Sequence, residues 1–157
     1  MLRRRNILWI IILIVIDQLI KIVIYNYSFN LRFELIPSVL EFYPKFNLNY
    51  SYVNDLYNLN IGLLVHTVFM LTMLIIMIFI FYYWKKINHT TLLDISFIFF
   101  IAGYVCVLIG YFFWKEGILD YISLIPLSII FDLKDLYLNC FSVLLIIYIL
   151  KTIKRII

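Results

Sequence analysis

Two groups of charged side chains stand where charge is costly, and each could do chemistry. Asp120 follows the third of four long apolar runs, and Asp135 immediately precedes the fourth. Both carboxyl groups therefore fall at the same end of antiparallel neighbours. Two carboxylates held close cannot both ionise cheaply, so one keeps a proton while the other acts as base. Such a pair can activate water against an amide with no metal and no nucleophilic side chain. The competing explanation is helix capping, because Asp132 and Asp135 also suit the start of the fourth run. The second group is Asp17-Gln18-Leu19-Ile20-Lys21, inside the first run. Asp17 and Lys21 are four apart and share a helix face, so they can pair. Ionisable groups within an apolar span are functional candidates by default. The alternative here is a structural ion pair that holds the first helix against its neighbours.

Other chemistries fit worse. His66 and His89 are far apart in the chain, and no Ser-His-Asp set, HExxH, phosphate loop or GxGxxG is present. His66 reads as a packed residue of the second run. Cys106 and Cys140 have no second Cys or His at metal-ligand spacing, and both read as small buried hydrophobes. A transporter would be expected to show an inverted repeat and Gly or Pro breaks within its helices; no repeat is visible here and such breaks are few.

The elements that must hold these residues are apolar. Of 157 residues, 66% are hydrophobic and 14% charged, too few polar groups to cover a soluble domain of this length. The runs cover about residues 7–25, 61–84, 92–114 and 136–153. Each is long enough to cross a bilayer, which takes roughly 20 residues, and in lipid only a helix satisfies its own backbone. The fold class expected is an all-α integral membrane bundle of four transmembrane helices, a single domain over 1–157. The first run is too long and too polar at Asp17 and Lys21 for a cleaved signal peptide.

Two outer segments, about 26–60 and 115–135, join the helices. In the first, Leu31, Phe33 and Leu35 alternate, as do Phe46, Leu48, Tyr50 and Tyr52. Period-two alternation with aromatics predicts a small extracytoplasmic β element. The second is short and apolar and carries Pro126. Arg3, Arg4, Arg5, Lys85, Lys86, Lys151, Lys154 and Arg155 all fall on one side of a four-pass chain. The positive-inside rule makes that side, and both termini, cytoplasmic. Glu34, Glu41, Asp55, Glu116, Asp120, Asp132 and Asp135 fall on the other, with Asp94 the exception. Basic residues confined to helix flanks are a topology signal and exclude a nucleic-acid surface.

The order of these features resembles the lipoprotein signal peptidase (signal peptidase II) family over essentially the whole chain. The family's first helix carries Asp-Gln-x-x-Lys, matched by Asp17, Gln18 and Lys21. Its Val-x-Asp-Phe motif falls on Ile118-Leu119-Asp120-Tyr121, and its Phe-Asn-x-Ala-Asp motif on Phe131-Asp132-Leu133-Lys134-Asp135. Asn54 stands for the Asn of a motif in the first outer segment, without its Gly-Ala-Phe part. The Asn, Asp and Arg of the family's third helix are absent from Cys106 to Tyr111. Lys134 replaces a small Ala and favours ionised Asp135, whereas the extra acid at Asp132 pushes the other way.

The resemblance implies an intramembrane aspartyl endopeptidase of the bacterial cytoplasmic membrane, with its site at the outer face. The catalytic pair would be Asp120 and Asp135, with Asp17, Gln18, Lys21, Asn54 and Asp132 supporting the site or binding substrate. The substrate would be a prolipoprotein whose Cys already carries diacylglycerol, reached through membrane lipid. No metal, organic cofactor or nucleic acid is implied, and a monomer is expected. Two alternatives are a catalytically inactive paralogue that binds lipoprotein precursors or lipid, and an unrelated four-helix transporter or assembly factor.

Overall fold

The computed structural model describes residues 4–48, 54, 59, 61–114 and 116–154. Arg3, Arg155, Lys115, Asp55 and the alternating Tyr50 and Tyr52 lie outside the described residues. Among the described residues the long helices are α1 (Arg4–Val23), α2 (Leu63–Ile87), α3 (Thr91–Phe113) and α4 (Leu133–Ile153). A π-helical turn, Ile24–Ser28, continues α1. All four are long and apolar enough to cross a membrane.

The central helix is α3. Its buried residues run from Leu93 to Tyr111, whereas α2 buries only His66. The remaining surface of α2 exposes Leu64, Val68, Phe69, Ile75 and Phe79, the composition that lipid contact requires. Close approach of α3 and α4 is made possible by Gly103. A Cβ there would lie 2.8 Å from a Leu138 side-chain carbon and 3.3 Å from the Lys134 backbone oxygen. Small residues at such crossings let two backbones pack in a membrane. Cys106 is buried beside Asp17 of α1, but Cys140 is exposed on α4, so the expectation that both cysteines are buried fails for the second.

The outer segments form one antiparallel sheet in the order β1 (Phe33–Ile36), β2 (Leu40–Asn47), β3 (Ile118–Leu124), β4 (Ile129–Phe131). Alternation at Leu31, Phe33 and Leu35 marked β1, whereas β2 runs over Leu40–Asn47 and shares only Phe46 with the second alternating stretch. The second segment was read only as short and apolar, and it supplies β3 and β4 around a 3-10 turn at Ile125–Leu127. The sheet seats on the end of α1: Ile24, Leu119 and Tyr121 pack together with Ile20, Phe42, Phe46 and Trp114 around them. This contact fixes the height of β3, and with it Asp120, above the helix bundle.

Candidate active site

Asp120 lies in the middle of β3, opposite Lys45 of β2. Its strand neighbours Ile118 and Leu119 are almost wholly buried, one against Val107 and Tyr111 of α3, the other against Ile24. Asp135 lies in the first turn of α4, not ahead of it. That helix starts at Leu133, three residues before the apolar run suggested, because Asp132 caps it. The Asp135 backbone N–H donates to Asp132 Oδ1 at 3.3 Å, and the Asp132 N–H donates to Asp135 Oδ2 at 3.1 Å. This is a reciprocal capping box. Capping was the competing explanation for these acids, and it is present. It does not exclude a site, because the same box aims Asp135 towards β3.

Asp120, Asp132 and Asp135 each offer a carboxylate oxygen within 4.8 Å of the others. That separation suits one bridging water, and the same three oxygens are the ones a divalent cation would use. Lys134 Nζ stands among them, 2.8 Å from Asp120 Oδ1, 2.9 Å from Asp132 Oδ1 and 3.2 Å from Asp135 Oδ2. A cation would therefore compete with an ammonium already in place.

The network continues into the bundle. Asp132 Oδ2 is 2.6 Å from Lys21 Nζ, and Lys21 Nζ is 3.1 Å from Asp17 Oδ2. Asp17 and Lys21 do pair along α1, and both are buried. Through Asp132 they also tie α1 to α4 and reach the outer acids. Gln18 anchors the remaining edge, donating to Asp17 Oδ2 at 2.8 Å and accepting from Trp114 Nε1 at 3.2 Å. Asn54 has a different task. It is buried, and its amide holds the loop before α2, donating to the Ile61 carbonyl at 3.1 Å and accepting from the Ile61 N–H at 3.0 Å.

Charge in this network is unbalanced, with four carboxylates against two ammoniums. Burial raises the Asp120 carboxyl above the ordinary carboxylate range, and nearby Lys134 only partly offsets it. Burial also acts on Asp132, but there Lys134 and Lys21 outweigh it and hold the carboxyl below that range. The two acids are thus pushed in opposite directions by the same surroundings. Differences of this kind are how a site keeps one acid protonated beside an ionised one.

A cavity of about 660 Å³ opens on this cluster, lined by Asp120, Lys134 and Asp135 together with Met70, Val107 and Tyr111. Asn47 and Asn139 also line it. Sequence reasoning missed both, and it treated Lys134 only as a neighbour of Asp135. One signal was available: Asn139 is four residues after Asp135 and so shares its helix face.

Four long apolar helices joined by a small antiparallel sheet, with an acidic cluster beside a largely apolar cavity, are consistent with a membrane protein. A family profile described as Signal peptidase (SPase) II matches residues 9–151. The chain belongs to the signal peptidase II family, an aspartic peptidase family of bacterial membranes. Two solved structures share its fold, each described as a bacterial membrane enzyme structure obtained by the in meso method. The one at 1.9 Å resolution is 21% identical, with a TM-score of 0.71, over 94% of this chain and 93% of that one. The one at 2.3 Å is 20% identical, with a TM-score of 0.72, over 96% and 90%. No curated protein sequence matches the chain.

Proposed function

We infer that this chain is an aspartyl endopeptidase that removes signal peptides from diacylglyceryl-modified prolipoproteins at the outer face of the bacterial cytoplasmic membrane. The observation that carries this reading is the approach of the Asp120 and Asp135 carboxylates to within 4.8 Å at the mouth of one cavity. One ionised carboxylate takes a proton from water, and the resulting hydroxide adds to the carbonyl carbon ahead of the modified Cys. The protonated partner then donates to the leaving nitrogen as the C–N bond breaks. Asp17, Gln18, Lys21 and Asp132 hold α1 and α4 in register around the pair, and Asn54 closes the loop before α2. The apolar cavity wall suits lipid tails arriving sideways from the bilayer.

The test is cleavage of a diacylglyceryl-modified precursor by purified protein. Asp120→Asn and Asp135→Asn should each lower the rate about 100-fold or more, the usual reach of acid–base catalysis. Cleavage that survives either substitution removes the mechanism.

A second reading is favoured by one observation. Lys134 Nζ stands between the two aspartates, where water would be needed. A chain locked in that state would bind lipoprotein precursors without cutting them. Precursor binding with no cleavage by well-folded protein would establish it.

A further inference from the structure

Lys134 has three acid partners, one for each N–H of its ammonium. The residue is only 4% exposed, yet it borders the cavity, so it stands at the wall between the ion network and the substrate space. An ammonium in this position affects a hydrolytic pair in two ways. It fills the place of the water that would bridge Asp120 and Asp135. Its charge also relieves the repulsion that makes close carboxylates share a proton. A weaker hold on that proton leaves less acid for the leaving nitrogen.

We propose that Lys134 restrains the site: its ammonium holds the seat of the hydrolytic water, and turnover requires it to withdraw from Asp120 and Asp135 onto Asp132. Asp132 is suited to receive it. One of its oxygens already binds Lys134 at 2.9 Å, and the other is tied to Lys21 at 2.6 Å. The acceptor therefore stays fixed while the lysine tip moves. The distance to cover is short, because all three carboxylate oxygens lie within 4.8 Å. This proposal rests on the peptidase reading above and adds a regulator to it.

The experiment compares full-length wild type with Lys134→Ala, Lys134→Met and Lys134→Arg in lipid vesicles. Two measurements are made. The first is cleavage of a diacylglyceryl-modified precursor in the presence of chelator. The second is Mn²⁺ binding, followed by electron paramagnetic resonance without substrate. The Ala and Met variants should raise kcat about tenfold with KM little changed. The acid limb of their kcat/KM profile should move to higher pH, because loss of a positive neighbour raises the Asp120 carboxyl further. Lys134→Arg keeps the charge and should stay slow. Mn²⁺ should bind the Ala variant through the three freed carboxylates and not displace the wild-type ammonium.

Outcomes separate the two ideas. If wild type cleaves and the Ala and Met variants cleave no faster, the restraint is overturned and the peptidase reading stands. If none of the proteins cleaves, the peptidase reading falls and the restraint falls with it; Mn²⁺ binding by the Ala variant would then show only that the ammonium seat is real. If Mn²⁺ binds wild type and Ala variant alike, the ammonium does not hold the seat and the restraint is overturned.

Discussion

Oδ1 of Asp132 caps α4 and pairs with Lys134, while Oδ2 pairs with Lys21. Asn at this position would keep the cap and leave both lysines short of a counter-ion. The sign of the pH effect follows from the depressed carboxyl of Asp132. The folded protein binds that proton less readily than the unfolded chain, so the group stabilises above its ordinary value and loses its contribution as pH falls through the depressed one. Asp132→Asn should therefore lower the apparent unfolding temperature in detergent at neutral pH, by an amount worth about 3 kcal/mol. The gap from wild type should close as pH falls below about 4. A constant gap across pH would show that lost packing, not lost charge, is responsible. Asp120 has the opposite sign, since its carboxyl is raised. The folded form keeps that proton to higher pH than the unfolded chain does, and this contribution is lost as pH rises through the raised value. Asp120→Asn cannot ionise, so at pH 8 its unfolding temperature should equal or exceed that of wild type even as cleavage is lost. A large drop in its unfolding temperature at pH 8 would mark Asp120 as a structural partner of Lys134.

At the scale of the element, the strand that carries Asp120 depends on the turn that delivers it. Gly117 has φ +105°, in the left-handed region, and a Cβ there would lie 2.8 Å from the Asn47 backbone oxygen on β2. Gly117→Ala meets strain and a backbone clash together, and should cost about 1–3 kcal/mol. Because the clash separates β3 from β2 next to Asp120, cleavage should fall more than stability alone predicts. Circular dichroism melts set beside initial rates would check this, and a variant with full activity and a normal melt would remove the role given to this turn. The two sheet halves also explain what was legible in the chain. Leu31, Phe33 and Leu35 alternate with Arg32 and Glu34, so β1 was readable. Residues 118–121 of β3 are buried on both faces, which erases the alternation a half-buried strand shows. The start of α4 was placed late because Lys134 and Asp135 interrupt the apolar run. Asp132 followed by Asp135 is itself a helix-start pattern of the reciprocal kind. The pairing of Lys134 with Asp120 was beyond reach of the sequence, since Asp120 belongs to another element and meets α4 through the seating of β3 on α1 and α3.

At the scale of the whole molecule, charge and architecture divide the same way. Arg4, Arg5, Lys85, Lys86, Lys151 and Lys154 lie at one end of the bundle, and the sheet with its acids lies at the other. Asp94, the acid on the basic end, is neutralised there: Lys85 Nζ is 2.7 Å from Oδ1 and His89 Nε2 is 3.0 Å from Oδ2. The exception to the charge pattern is thus paired locally, and it does not weaken the orientation signal, which counts Lys and Arg rather than net charge. The expected topology puts both ends of the chain and the α2–α3 connection in the cytoplasm, with the sheet outside. Green fluorescent protein fused after Ile157 or inserted after Asn88 should fluoresce, and alkaline phosphatase at those positions should be inactive. Phosphatase inserted at Ser38, in the turn between β1 and β2, should be active. The reverse pattern would put the Asp120–Asp135 pair on the cytoplasmic face. The proposed cleavage at the outer face would then be lost even with every distance in the site unchanged.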